Sequence, residues 1–181
     1  KIDKTTYARY QDEYGGGYAA GFYSADLGSG TAPVVLFDHD ASFGSKFDPN
    51  LMVYHWDALD PFSPNYGKTR PWVAAKNDPS AFYETGVTSN QNVVVSGGAD
   101  KTTFKLAYTR TDEKGVLPNS TMDKDLVNFN ASHEITSKLT VNASANYSRI
   151  LGVGRYGTGY NGNNPNQQFR QWWQVNTDIL E

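Results

Sequence analysis

Four stretches of alternating side-chain character between Gln91 and Ile150 constrain this chain more than any other feature. QNVVVSGG from Gln91, KTTFKLAYTRTD from Lys101, DLVNFNASHE from Asp125 and KLTVNASANYSRI from Lys138 place apolar and polar residues in turn. Only an extended strand converts a period of two into two distinct faces. One face carries Val93 and Val95, then Phe104, Leu106 and Tyr108, then Val127, Phe129 and Ala131, then Val141, Ala143, Ala145 and Tyr147. The other carries Thr103, Lys105 and Thr109, then Asn128, Asn130 and Ser132, then Thr140, Asn142, Ser144 and Asn146. The expected fold class is therefore all-β, and the wealth of aromatics (14% of residues) fits strands better than helices.

The connections sort by length. A tight turn is expected at Gly97 to Asp100, a longer loop from about Thr111 to Lys124, a short turn around Ile135 to Ser137, and a long excursion after Ile150. Short turns at one end and long loops at the other are the pattern of an outer-membrane β-barrel. Tyr108 and Tyr147 sit on the apolar face near the long-loop end, where a barrel places its aromatic girdle. A soluble sandwich also alternates, and on alternation alone it is the more common reading. No apolar run approaches the roughly 18 residues of a transmembrane helix, so any membrane residence must use strands. Lys1 does not begin a signal peptide, and the missing initiator Met suggests a mature or cut chain.

Residues 1–81 show no sustained period and are expected to form mainly long ordered loop, with Asp-Pro, Ser-Pro and Pro-Asn pairs breaking the chain between Phe37 and Trp72. Tyr54, Trp56, Tyr66 and Trp72, with Trp172 and Trp173 near the end, offer flat surfaces that could stack on sugar rings or pack the loop against itself. Asp57 and Asp60 could accept hydrogen bonds from a ligand. The candidate ligand-binding residues are thus Tyr54, Trp56, Asp57, Asp60 and Trp72.

Charge and motif arguments exclude more than they assign. Lys plus Arg number 16 against 19 Asp plus Glu, which leaves no basic surplus for nucleic acid. There is no cysteine, so disulfide scaffolds and thiol nucleophiles are absent. GVGRYG at Gly152 to Gly157 matches GxGxxG, but the following TGYNGNNPN is not expected to start the helix a phosphate site needs. Asp38, His39 and Asp40 with nearby acids could gather oxygen ligands for calcium, although turn carboxylates capping loop amides explain them more simply. The sequons at Asn119, Asn130, Asn142 and Asn146 fit chance in an Asn/Ser-rich wall. No catalytic pattern is present, and neither metal nor cofactor is expected.

YQDEYGGGY from Tyr10, the block from Asp38 to Gly98 containing SFGSKFD and AFYETGVTSNQNVVVSGG, and DKTTFKLAYTRTDEKGVLPNS from Asp100 to Ser120 resemble the early barrel region of SusC/RagA-type TonB-dependent outer-membrane transporters. The resemblance covers most of residues 10–150. It implies part of a large transmembrane antiparallel β-barrel with long extracellular loops, filled by a plug and capped by a SusD-like surface lipoprotein. It further implies uptake of oligosaccharides, or in some members oligopeptides, driven through the TonB complex by parts this sequence does not contain.

On this expectation residues 1–81 are mainly extracellular loop, 82–150 are four barrel strands, and 151–181 begin a further extracellular loop. Phe104, Leu106, Tyr108, Phe129, Val141 and Tyr147 would face lipid in the bacterial outer membrane. The chain would then be a piece of a larger protein, because an open sheet edge in hydrocarbon leaves backbone groups unpaired and the smallest barrels need about eight strands. A soluble carbohydrate-binding β-sandwich is the alternative, and a secreted glycan hydrolase a more distant one.

Overall fold

A computed structural model describes residues 2–28 and 30–181. Two compact units emerge, one made of Ile2–Tyr83 with Tyr156–Glu181 and the other of Glu84–Arg155. Among the described residues all regular structure except one short helix and two 3-10 turns is antiparallel strand. The chain is all-β.

The first unit is better organised than its lack of period suggests. Strand β1 (Tyr23–Asp26) pairs with β2 (Thr31–Val34), and β3 (Asp48–Val53) with β4 (Arg70–Trp72). A parallel bridge between Val34 and Tyr54 joins the two hairpins. Strand alternation then splits adjacent residues between two apolar clusters. Val34 and Tyr54 pack with Ala58, whereas their neighbours Val35 and Val53 pack with Trp72. Phe22 and Phe47 close on Trp72 with ring centroids 5.1 Å away on each side, and its indole N–H donates to the Ser45 carbonyl at 3.2 Å. Most of the described residues up to 81 are irregular, and the four short strands and two 3-10 turns set among them are what the sequence did not announce. These strands have only three to six residues, too few for a period to show.

The glycine run in YQDEYGGGY has a steric cause. A Cβ on Gly15 would collide with the Trp72 ring, and one on Gly44 would collide with the Gly16 carbonyl, so two chain segments meet there at a distance only glycine permits. Gly17 also holds φ at 136°.

The second unit is one sheet with strand order β5 (Val87–Ala99), β6 (Thr102–Lys114), β7 (Thr121–Thr136) and β8 (Leu139–Val153). Each strand runs past at least one of its expected ends. The largest change is at the Thr111–Lys124 loop, where the ladder continues through Thr111↔Lys124, Asp112↔Asp123 and Lys114↔Thr121. Only residues 115–120 remain as connection, closed by Gly115 N–H on the Ser120 carbonyl at 2.7 Å. Charged side chains on both faces hid the alternation there, while backbone pairing is indifferent to them. Cross-strand registers set the two faces in rows, such as Val93, Tyr108, Val127 and Tyr147 on one face.

Beyond β8 the chain does form a helix, α1 (Pro165–Gln171), inside the stretch read as unable to start one. Proline at the first helical position lacks only an N–H that would be unpaired anyway, and the Asn164 side chain accepts from the Gln167 amide. GVGRYG still has no helix directly behind it, since Gly152 belongs to β8 and α1 begins eight residues after Gly157.

Candidate functional site

The most concentrated chemistry of the first unit surrounds a 3-10 turn, Trp56–Leu59, that directly follows the buried pair Val53 and Tyr54. Successive residues of so tight a turn point different ways. Asp57 is therefore directed inward, at 3% exposure, and Trp56 outward, at 40%. Asp57 accepts from Arg70 Nη2 at 2.5 Å and from Asn65 Nδ2 at 2.6 Å, while Arg70 Nη1 reaches Glu181 at 2.6 Å. A buried carboxylate needs such partners to stay charged.

His55 lies buried beside this pair, its Nε2 3.3 Å from the Pro71 carbonyl. Burial, and next the Arg70 charge, hold its pKa below the ordinary 6.5. The folded state thus resists a proton that the unfolded chain accepts. The His55 contribution to stability is complete above pH 6.5 and declines as the pH falls toward the depressed folded value. Urea titrations of the intact protein between pH 8 and 5 should show this loss, and His55→Gln should remove that part of the pH dependence. An unchanged pH profile in the variant would dissociate His55 from it.

The last residues of the chain are drawn onto this unit by side-chain to backbone bonds across long sequence gaps. Gln174 Nε2 donates to the Leu36 carbonyl at 2.7 Å and also to that of His39. Asn176 Oδ1 accepts from the Gly16 amide at 2.6 Å, and Ser42 Oγ donates to the Trp173 carbonyl and accepts from the Val175 amide. Burial works against a charge on Asp178, but bonds from the Leu180 and Asn77 amides and the Asn77 side chain keep its carboxyl below the usual range.

This docking creates an open groove of about 330 Å³, lined by Phe37, Asp38, His39, Asp40, Trp56, Trp172, Trp173, Gln174 and Thr177. Phe37 and Trp56 present exposed rings, and Trp172 and Trp173 are half-buried. The Asp38 carboxylate accepts from the Tyr23 hydroxyl at 2.9 Å, and that of Asp40 from the Tyr18 hydroxyl.

The five residues expected to bind ligand are scattered by this fold. Tyr54 and Trp72 have no exposed surface and serve the two apolar clusters, so neither can stack on a ligand. Asp57 is committed to Arg70 and Asn65. Asp60 is exposed, accepts from the Phe62 amide at 2.9 Å, and does not line the groove. Trp56 alone reaches it, joined by Trp172 and Trp173 from more than a hundred positions away. No local signal linked those segments. Among the described residues no three His, Asp or Glu side chains gather in a way that could hold a metal ion.

The sheet of the second unit has a different kind of site in its faces. Phe104, Leu106, Tyr108, Phe129, Val141 and Tyr147 are all exposed on one face. At one level that face changes in all four strands together. Val93 is followed by Gln91, Tyr108 by Arg110, Val127 by Asp125 and Tyr147 by Arg149, all in one hydrogen-bonded row. Arg110 contacts Asp112 at 2.5 Å, Asp125 at 3.2 Å and Asp123 at 3.4 Å, and the Tyr108 hydroxyl donates to Asp125 at 2.7 Å. On the opposite face of β7, Asn130 and Asn128 are followed by Leu126, Lys124 and Met122 at that end. No protein-family model and no curated protein matches the chain.

Proposed function

We propose that this chain contributes wall strands and extracellular structure to a SusC-like, TonB-dependent β-barrel importer of the bacterial outer membrane. The observation that carries this reading is the level change on the exposed face of β5 to β8. On β8 every residue of that face from Leu139 to Tyr147 is apolar or aromatic, and Arg149 follows. Those nine positions match the 9–11 residues a tilted strand uses to cross the hydrocarbon of a bilayer. A charged row directly above two tyrosines is what the water interface demands. β5 and β8 each have one unpaired edge among the described residues, and in lipid those edges require further strands.

In this reading the unit formed by residues 2–83 and 156–181 is extracellular, and substrate is an oligosaccharide or oligopeptide. It is captured with a SusD-like surface lipoprotein and drawn inward with energy from the TonB complex. The protein binds and transports; it is not an enzyme. The resemblance of the Tyr10, Asp38–Gly98 and Asp100–Ser120 segments to that family supports the same conclusion.

The absence of cysteine from this sequence makes the test direct. Single cysteines at Leu106, Phe129 and Val141 in the intact protein, in outer-membrane vesicles, should resist a water-soluble maleimide. A cysteine at Arg149 should react fast. Equal labelling on both sides of the Tyr147 level would remove the membrane reading and leave the soluble carbohydrate-binding sandwich.

A further inference from the structure

We infer that the groove between Phe37, Trp56, Trp172 and Trp173 is a binding site for an organic cation, an ammonium or guanidinium group such as ends a Lys or Arg side chain. Its walls are indole and phenyl rings, whose faces are electronegative and attract a desolvated cation. Trp56 is exposed and Phe37 more so, so ring surface is open to a ligand.

The charge at the groove is one-sided. Asp38 and Asp40 line it with His39 between them, no Lys or Arg does, and neither carboxylate has an ion-pair partner among the described residues. Their tyrosine partners are neutral hydroxyls that orient the carboxylates without cancelling their charge. In the same unit Asp57 and Glu181 share Arg70 and Asp78 lies by Lys4, whereas Asp38 and Asp40 are among the carboxylates with no such cation. Two uncompensated negative charges beside aromatic rings complement a cation and repel an anionic glycan, whereas to a neutral sugar they offer hydrogen-bond acceptors but no charge attraction.

The groove is also held in shape without a ligand. Gln174 ties the carbonyls on either side of the Phe37–Asp38 pair, and Ser42 fixes the backbone at Trp173 and Val175. Little ordering is then needed on binding, which favours affinity. Calling the ligand a transported peptide rests on the importer reading; the binding itself does not, and it can be measured without transport.

The test is calorimetric titration of the intact detergent-solubilised protein with N-acetyl-arginine amide, its neutral isostere N-acetyl-citrulline amide, and maltotriose. The arginine compound should bind at least about tenfold more tightly than the citrulline compound, with the difference shrinking in high salt. Asp38→Asn with Asp40→Asn should weaken it about tenfold or more, since each amide keeps an oxygen for its tyrosine but removes a charge. Trp56→Ala should weaken it several-fold, and Trp56→Phe should restore part of that. Equal binding of arginine and citrulline compounds, binding of maltotriose alone, or no binding of any would overturn the inference. None of these results bears on the maleimide pattern of the sheet, so the two readings can fail separately.

Discussion

Arginine in place of Phe129 should cost about 2–4 kcal/mol of folding free energy in a bilayer, while arginine in place of Asn142 should be tolerated. Phe129 sits in the middle of the exposed apolar face, in one row with Leu106 and Ala145. In the proposed barrel a guanidinium there must either lose its water or drag water and headgroups into the hydrocarbon. Asn142 lies on the opposite face, level with Ser132 and Thr103, where a polar lumen or water receives a charge. Depth supplies an internal control. Arginine replacing Tyr147, one row below Arg149, should cost only about 0–1 kcal/mol because the proposed barrel puts it at the interface. Folding of the intact protein into lipid vesicles from urea measures all three. Equal costs at Phe129 and Asn142, or a cost at Tyr147 as large as at Phe129, would speak against a lipid contact.

Trp72→Ala is the second large effect, at about 3–5 kcal/mol, on the scale of other buried tryptophan truncations. Trp72 has no exposed surface, touches Phe22 and Phe47, and its ring occupies the space that Gly15 keeps free. Removing the indole leaves a cavity and takes one of two donors from the Ser45 carbonyl, which keeps the Gly15 amide. Trp72→Phe should recover part of the loss. Trp56→Ala, by contrast, should change stability by no more than about 0.5 kcal/mol, because most surface substitutions do little. Hydrogen exchange at the amides of β3 and β4 separates the two variants. If both tryptophans proved equally costly, the inward and outward assignments at this turn would be wrong.

The four long strands were legible before any coordinates because a period of two over a dozen residues survives local exceptions. Their faces followed from the same alternation. Their ends did not, since Asp112 and Asp123 lie within the expected loop yet continue the ladder beside Arg110. There the backbone hydrogen bonds decide, and the charges remain at ease because they pair with one another across strands. The helix at Pro165 was missed for a related reason. Asparagine and proline break a helix inside it but begin one at its first turn.

The residues around the groove were a different matter. Side-chain type alone established that this chain has strands, turns, surplus acid over base, no thiol chemistry and several large rings available for packing or contact. Whether a given ring is packed or presented depends on partners remote in sequence. Tyr54 and Trp72 are buried because Val34, Val35 and the Gly15 backbone come to meet them. Trp56, two residues from Tyr54, stays at the surface because the 3-10 turn rotates it away. Trp172 and Trp173 join it only because Gln174 and Asn176 find backbone partners more than 130 positions earlier. Periodicity is a local property and is written along the chain. Burial and convergence are set by long-range closure, so they were decided only when the tertiary structure brought those segments together.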